Sequence, residues 1–204
     1  VTLPARLAPL WPVLALLLAG CPLPQVLPEY PSTGTIAPPR ILSDQVRPLD
    51  STILVAPDCA TTPTFSLFVS LVDENTLETV EARWFVDYDP AQSTRVPYGG
   101  PVLIRGPEDG ITTTRPVVPE GSPVGAPSFV FEPYGFDDPA FRTGGGLHVV
   151  ELVVSNGFKG TSAEQLGLPR PWRTPEAQFE TQVQRWVFHY APAGAGGACG
   201  FPVP

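Results

Sequence analysis

Leu147-His148-Val149-Val150-Glu151-Leu152-Val153-Val154-Ser155, closed by the turn Asn156-Gly157, is the stretch on which the fold depends. His148, Val150, Leu152 and Val154 share one face at a spacing of two, with Glu151 on the other, which is the signature of a half-buried strand. As the most regular run in the chain, it is expected at the centre of a sheet. Working outward, Val80 to Asp89 repeats the pattern: Val80, Ala82, Trp84, Val86 and Tyr88 face one way, Glu81, Arg83, Asp87 and Asp89 the other. Trp84 is therefore the expected core tryptophan. Thr64 to Val72 places Phe65, Leu67, Val69 and Leu71 on one face and Ser66 and Ser70 on the opposite one. Phe179 to Tyr190 is the last long strand, and its apolar phase changes between Val183 and Trp186, which predicts a bulge.

Shorter strands are expected at Thr52 to Ala56, Pro101 to Arg105, Ile111 to Val118 and Ser128 to Glu132. Pro116 cannot donate a ladder hydrogen bond, so its strand belongs at an edge. Ser162 to Gly167 reads as a single helical turn with Ser162 as its cap. Several strands at short spacing, Gly/Pro turns and no long amphipathic stretch together predict an all-β protein, an antiparallel β-sandwich. Ala82-Arg83-Trp84-Phe85-Val86-Asp87-Tyr88 and the later run Leu147 through Phe158 resemble the middle and late strands of the immunoglobulin-like superfamily, and within it the polycystic-kidney-disease-type domains. Asp87-Tyr88-Asp89-Pro90 stands where that type usually carries Gly-Asp-Gly. The resemblance implies an immunoglobulin-like sandwich and no particular activity.

The amino-terminal region has a different character. An apolar run from Leu7 to Ala19 follows the single cation Arg6 and ends in small residues, the pattern of an export signal. It is too short for a membrane span, which needs about 20 residues. Its ending, Leu18-Ala19-Gly20-Cys21, resembles the lipobox of bacterial lipoprotein precursors. That resemblance implies cleavage before Cys21, a diacylglycerol on its thiol and an acylated new amino terminus. Several acyl chains together hold a protein on a membrane where one gives only reversible binding. Pro22 follows Cys21 in place of the aspartate that retains lipoproteins at the inner membrane of enteric bacteria, which implies the outer membrane. The expected organisation is a signal peptide at 1–20, a lipidated cysteine and proline-rich tether at 21–40, and one sandwich domain at 41–204. Pro22, Pro24, Pro28, Pro31, Pro38 and Pro39 lie in that tether with Glu29 as its only acid, a stiff and extended composition.

The chain has 3 cysteines, an odd number for an exported protein. With Cys21 lipidated, Cys59 and Cys199 remain either as a disulfide or as two free thiols. A bridge would close a loop of about 140 residues, worth roughly 4 to 5 kcal/mol by chain entropy. A zinc site is a poorer account, because these cysteines have no second ligand nearby. The formal net charge of −8 repels nucleic acid and anionic lipid, so neither is an expected partner.

No nucleophile elbow, P-loop, dinucleotide fingerprint or His-Glu-x-x-His helix occurs in the sequence. Catalysis is therefore not expected, and no cofactor is implied. Gly144-Gly145-Gly146 precedes a strand rather than a helix amino terminus and reads as a flexible turn, not a phosphate cradle. His148 and His189 are the only histidines, and antiparallel pairing of their strands would bring them near each other. With Asp137 or Asp138 they are weak candidates for a metal site against the commoner role of histidines near a sheet edge. Asp87 with Asp89, and Asp137 with Asp138, carry a similar weak suggestion of calcium, set against solvated loop charge. Trp172, between Pro171 and Arg173, is the candidate ligand contact, either stacking on a sugar or peptide or covering the end of the sandwich. The expectation is a lipid-anchored, non-catalytic binding or scaffolding module whose partner is another envelope protein or a surface polymer. A carbohydrate- or peptidoglycan-binding module is the rival, and a metal-dependent hydrolase comes third.

Overall fold

Period-two alternation sorts the strands into two layers whose apolar faces meet. The computed structural model describes residues 37–91, 97–106, 113–135, 146–160, 168, 170–192 and 194–201. The lipobox with Cys21, the tether before residue 37, Asp137, Asp138, the triplet at 144 and 145, and the turn at 162–167 lie outside these residues. The described residues belong to one compact unit, Thr35–Pro204. Its first paired strand begins at Arg40, and Pro39 is already buried, so the folded body starts slightly before position 41.

One layer has five strands: β2 (Thr52–Val55), β5 (Val80–Val86), β6 (Val102–Ile104), β9 (Leu147–Ser155) and β10 (Gln182–Tyr190), in the order β2-β10-β9-β5-β6. The run Leu147–Ser155 is indeed central. It pairs antiparallel with both long neighbours, whereas β2 runs parallel to β10. The other layer contains β1 (Arg40–Ile41), β3 (Thr64–Leu67), β4 (Ser70–Val72), β7 (Thr114–Pro116), β8 (Phe129–Phe131) and β11 (Gly200–Phe201). Their orders are β1-β4-β7 and β11-β3-β8. β3 and β4 are successive parts of the run read as one strand, interrupted at Phe68-Val69. The chain between β7 and β8 leaves and rejoins it through Val117 N–H to Val69 O at 2.9 Å and Ser128 N–H to Leu67 O at 2.7 Å. Pro116 sits in the edge strand β7, as its missing donor requires.

The five-stranded sheet and the shorter strands pack face to face as a β-sandwich. Side chains between the layers form one core. Trp84 stacks on Phe129 at 4.7 Å and on Trp186 at 5.9 Å, and Phe188 meets Phe65 at 5.0 Å and Phe131 at 4.6 Å. All of these except the partly buried Phe129 are sealed from solvent. Among the described residues, no helix is long and apolar enough to cross a membrane.

The predicted bulge in the last long strand does not occur. β10 and β9 pair without interruption from Gln182↔Val154 to His189↔Leu147. Val183 lies on the outer face, 43% exposed, and this exposed valine produces the apparent change of phase.

The carboxyl-terminal segment clasps one side of the sandwich. Ala198 N–H donates to Leu54 O at 2.8 Å, and Ala56 N–H donates to Ala198 O at 3.2 Å. Two residues later Gly200 and Phe201 pair parallel with Thr64 and Phe65 of the opposite layer. Between these contacts stands the disulfide Cys59–Cys199, with its Cα atoms 5.6 Å apart. A Cβ on Gly200, whose φ is +148°, would lie 2.4 Å from Thr64 O; one on Gly197 would lie 2.6 Å from Ala56 N. The backbones approach too closely for any side chain at either position.

Candidate functional site

Alternation that sends Trp84, Leu152 and Trp186 inward sends Arg83, Phe85, Glu151, Val153 and Arg185 to the outer face of the five-stranded sheet. Such a face is ordinarily solvated, but half of this one is covered by the chain's own loop. Phe158 and Trp172 come over Phe85 and Val153, with Tyr88 at the margin, making a second and smaller apolar cluster. Charged groups under and around the loop fasten it down. Arg83, only 3% exposed, donates from Nε to Glu81 Oε1 at 2.7 Å and from Nη1 to the Trp172 carbonyl at 2.7 Å. Its guanidinium lies 4.2 Å from the centroid of the Phe158 ring, a cation–π arrangement.

Glu151 is the centre of this face. Its carboxylate accepts from Arg173 Nη1 at 2.8 Å and Nη2 at 3.4 Å, and from Arg185 Nε. Arg173 comes from the covering loop and stacks over Tyr88 at 4.5 Å, while Arg185 comes from β10. Burial pushes the Tyr88 phenol above its ordinary range, with Arg173 and Arg170 opposing the shift. Its hydroxyl donates to Pro171 O at 2.8 Å. Two guanidiniums on one carboxylate leave a positive surplus, and that surplus is outward: the Arg185 side chain is 62% exposed, Arg173 11%.

Trp172, the candidate ligand contact, is half-buried with φ +63°, and its ring belongs to the covering cluster. It lies over the outer face of the five-stranded sheet rather than over the end of the sandwich. The two histidines do fall on paired strands one step apart, His148↔Phe188 and His189↔Leu147. Pairing one step out of register puts them on opposite faces, so their imidazoles do not converge. His148 is buried beside Phe131, and its Nδ1 lies 2.6 Å from Asp87 Oδ2; His189 is exposed. Asp87 reaches His148 because its φ of +51° turns it out of strand alternation, and its Oδ1 accepts the Val149 N–H at 2.8 Å. Asp89 instead accepts the Ala91 N–H at 2.9 Å, so these two acids serve separate turns.

The charge cluster of Arg83, Glu151, Arg173 and Arg185 was not singled out from the sequence. A signal was present, however. Glu151 interrupts Val149 and Val153 on a face that would otherwise be apolar, and such a carboxylate needs cations from elsewhere in the chain. The fold and this self-covered face define the chain as a β-sandwich domain with a half-open outer sheet. No protein-family model, curated protein or solved structure matches the chain.

Proposed function

We propose that this chain is a lipid-anchored protein of the bacterial outer membrane, displaying its sandwich on a proline-rich tether and acting by binding or scaffolding. The observation that carries the reading is the Cys59–Cys199 bridge. Disulfides persist in oxidising compartments, which fits export. The bridge also uses two of the chain's 3 cysteines and leaves Cys21 for the lipobox. Binding rather than catalysis is supported by how the buried charges are used. Glu151 holds a loop, Asp73 faces Arg115 at 3.6 Å, and Arg115 grips the carbonyls of Asn75 and Glu78 at 2.9 and 2.8 Å. Each fastens backbone in place.

Mass spectrometry of the protein extracted from membranes tests the anchor. The expected mature chain begins at Cys21, carries a diacylglyceryl group and an amide-linked acyl chain, and becomes unanchored in Cys21→Ala. An unmodified Cys21 with residues 1–20 still attached would sink the reading.

A further inference from the structure

We propose that the uncovered half of the outer sheet face docks an acidic, apolar segment of a partner polypeptide. The inference rests on the binding role just proposed and specifies its surface and chemistry. Strand register puts three rows side by side: Leu54–His189–Leu147, Thr52–Val187–Val149 and, one step further, Arg185–Glu151. Leu54 is 46% exposed and Leu147 53%, while Val187 and Val149 are half-buried beside them. Leu54, Val187, Val149 and Leu147, on three adjacent strands, form an apolar patch, the kind of surface that marks a protein contact. The covering loop shows what this sheet face accepts, since on the neighbouring rows it presents aromatic rings to apolar residues and takes part in the Glu151 charge cluster.

Charge complementarity selects the occupant. Glu151 is the only acid among the outward residues of β2, β9 and β10, and two arginines already engage it. Arg185 meets Glu151 through Nε while its side chain remains 62% exposed, with exposed His189 four residues further along β10 on the same face. In a chain of net charge −8, this strip sets two arginines against one carboxylate. It attracts a carboxylate-bearing segment, whereas a second copy would bring a face of the same charge sign. Apolar contacts spaced along strands suit an extended peptide better than a sugar, which calls for an aromatic platform.

The test pans a displayed library of random decapeptides against the full chain in detergent micelles. Wild type should enrich sequences with Asp or Glu between apolar residues. Enrichment should fall at least about tenfold in Leu54→Glu and in His189→Glu, since each puts a repelling charge in the patch, and persist in Val130→Glu on the other sheet. Both patch positions are exposed, and circular dichroism confirms that each variant is folded. Neutral or basic consensus sequences, no enrichment, binding of polygalacturonate in place of peptides, or self-association through this face would each overturn the proposal. Repeating the selection with Cys21→Ala separates the two readings, because docking that survives without lipid stands even where the anchor fails.

Discussion

At the scale of single residues, the two core tryptophans make a matched experiment. Trp84 and Trp186 are both sealed from solvent and stack together, yet Trp186 Nε1 donates to Pro48 O at 3.3 Å while Trp84 Nε1 is buried with no hydrogen-bond partner among the described residues. Replacing either with phenylalanine removes similar volume, but only Trp186→Phe strands a carbonyl. We expect Trp186→Phe to cost about 1 kcal/mol more than Trp84→Phe in urea unfolding; equal costs would contradict the hydrogen-bond account. Tyr88 gives a pH dependence. Its pKa is raised above 10.0 by burial, so between the unfolded and folded values the native state binds more protons. Stability from this group is intact below pH 10 and declines as pH rises through the folded value. Tyr88→Phe should therefore flatten the alkaline fall in the urea midpoint between pH 9 and 11, and an unchanged slope would count against it. Trp84 was legible from alternation alone, whereas the roles of Arg83 and Glu151 were not. Which cation meets Glu151 depends on Arg173, brought in by a loop 22 residues away.

At the scale of elements, legibility followed length. β5 and β9 have 7 and 9 residues, enough for a period of two to assert itself, and their faces were read correctly as far as Val86. Beyond it the φ of +51° at Asp87 breaks the alternation, and Tyr88, expected on the Trp84 face, lies in the outer cluster instead. β1 and β11 have 2 residues each, too few to show any period; they exist because a neighbouring strand supplies hydrogen-bond partners. β10 was located but misread in phase, because one exposed valine on its outer face imitates the shift of a bulge. The parallel run of β11 beside β3 rests on Gly200, which has no room for a side chain. Gly200→Ala would drive a methyl group against Thr64 O and require a backbone conformation that alanine resists. We expect a loss of about 2 to 3 kcal/mol, and faster hydrogen exchange at the Ala56 and Ala198 amides, which the clasp protects. Destabilisation without a change at those amides would place the effect elsewhere.

At the scale of the whole molecule, the clasp and the disulfide act on different states of the chain, and this gives the last prediction. Hydrogen bonds from Ala198 and the pairing of β11 stabilise the folded sandwich directly. The Cys59–Cys199 bridge, with a sequence separation of 140, acts mainly by denying the unfolded chain its freedom. Replacing both cysteines with serine should lower stability by roughly 4 to 5 kcal/mol in the chain-entropy model. A domain of ordinary stability has about 5 to 15 kcal/mol in all, so the variant should be folded but marginal. The signature lies in the slope of urea unfolding as well as the midpoint. Without the bridge the denatured chain expands and exposes more surface, so the slope should increase while the midpoint falls. Loss of the clasp alone, as in Gly200→Ala with the bridge intact, should lower the midpoint and leave the slope unchanged. If the double serine variant shifts only the midpoint, the bridge works through native contacts at the clasp, and the entropic account of it is wrong.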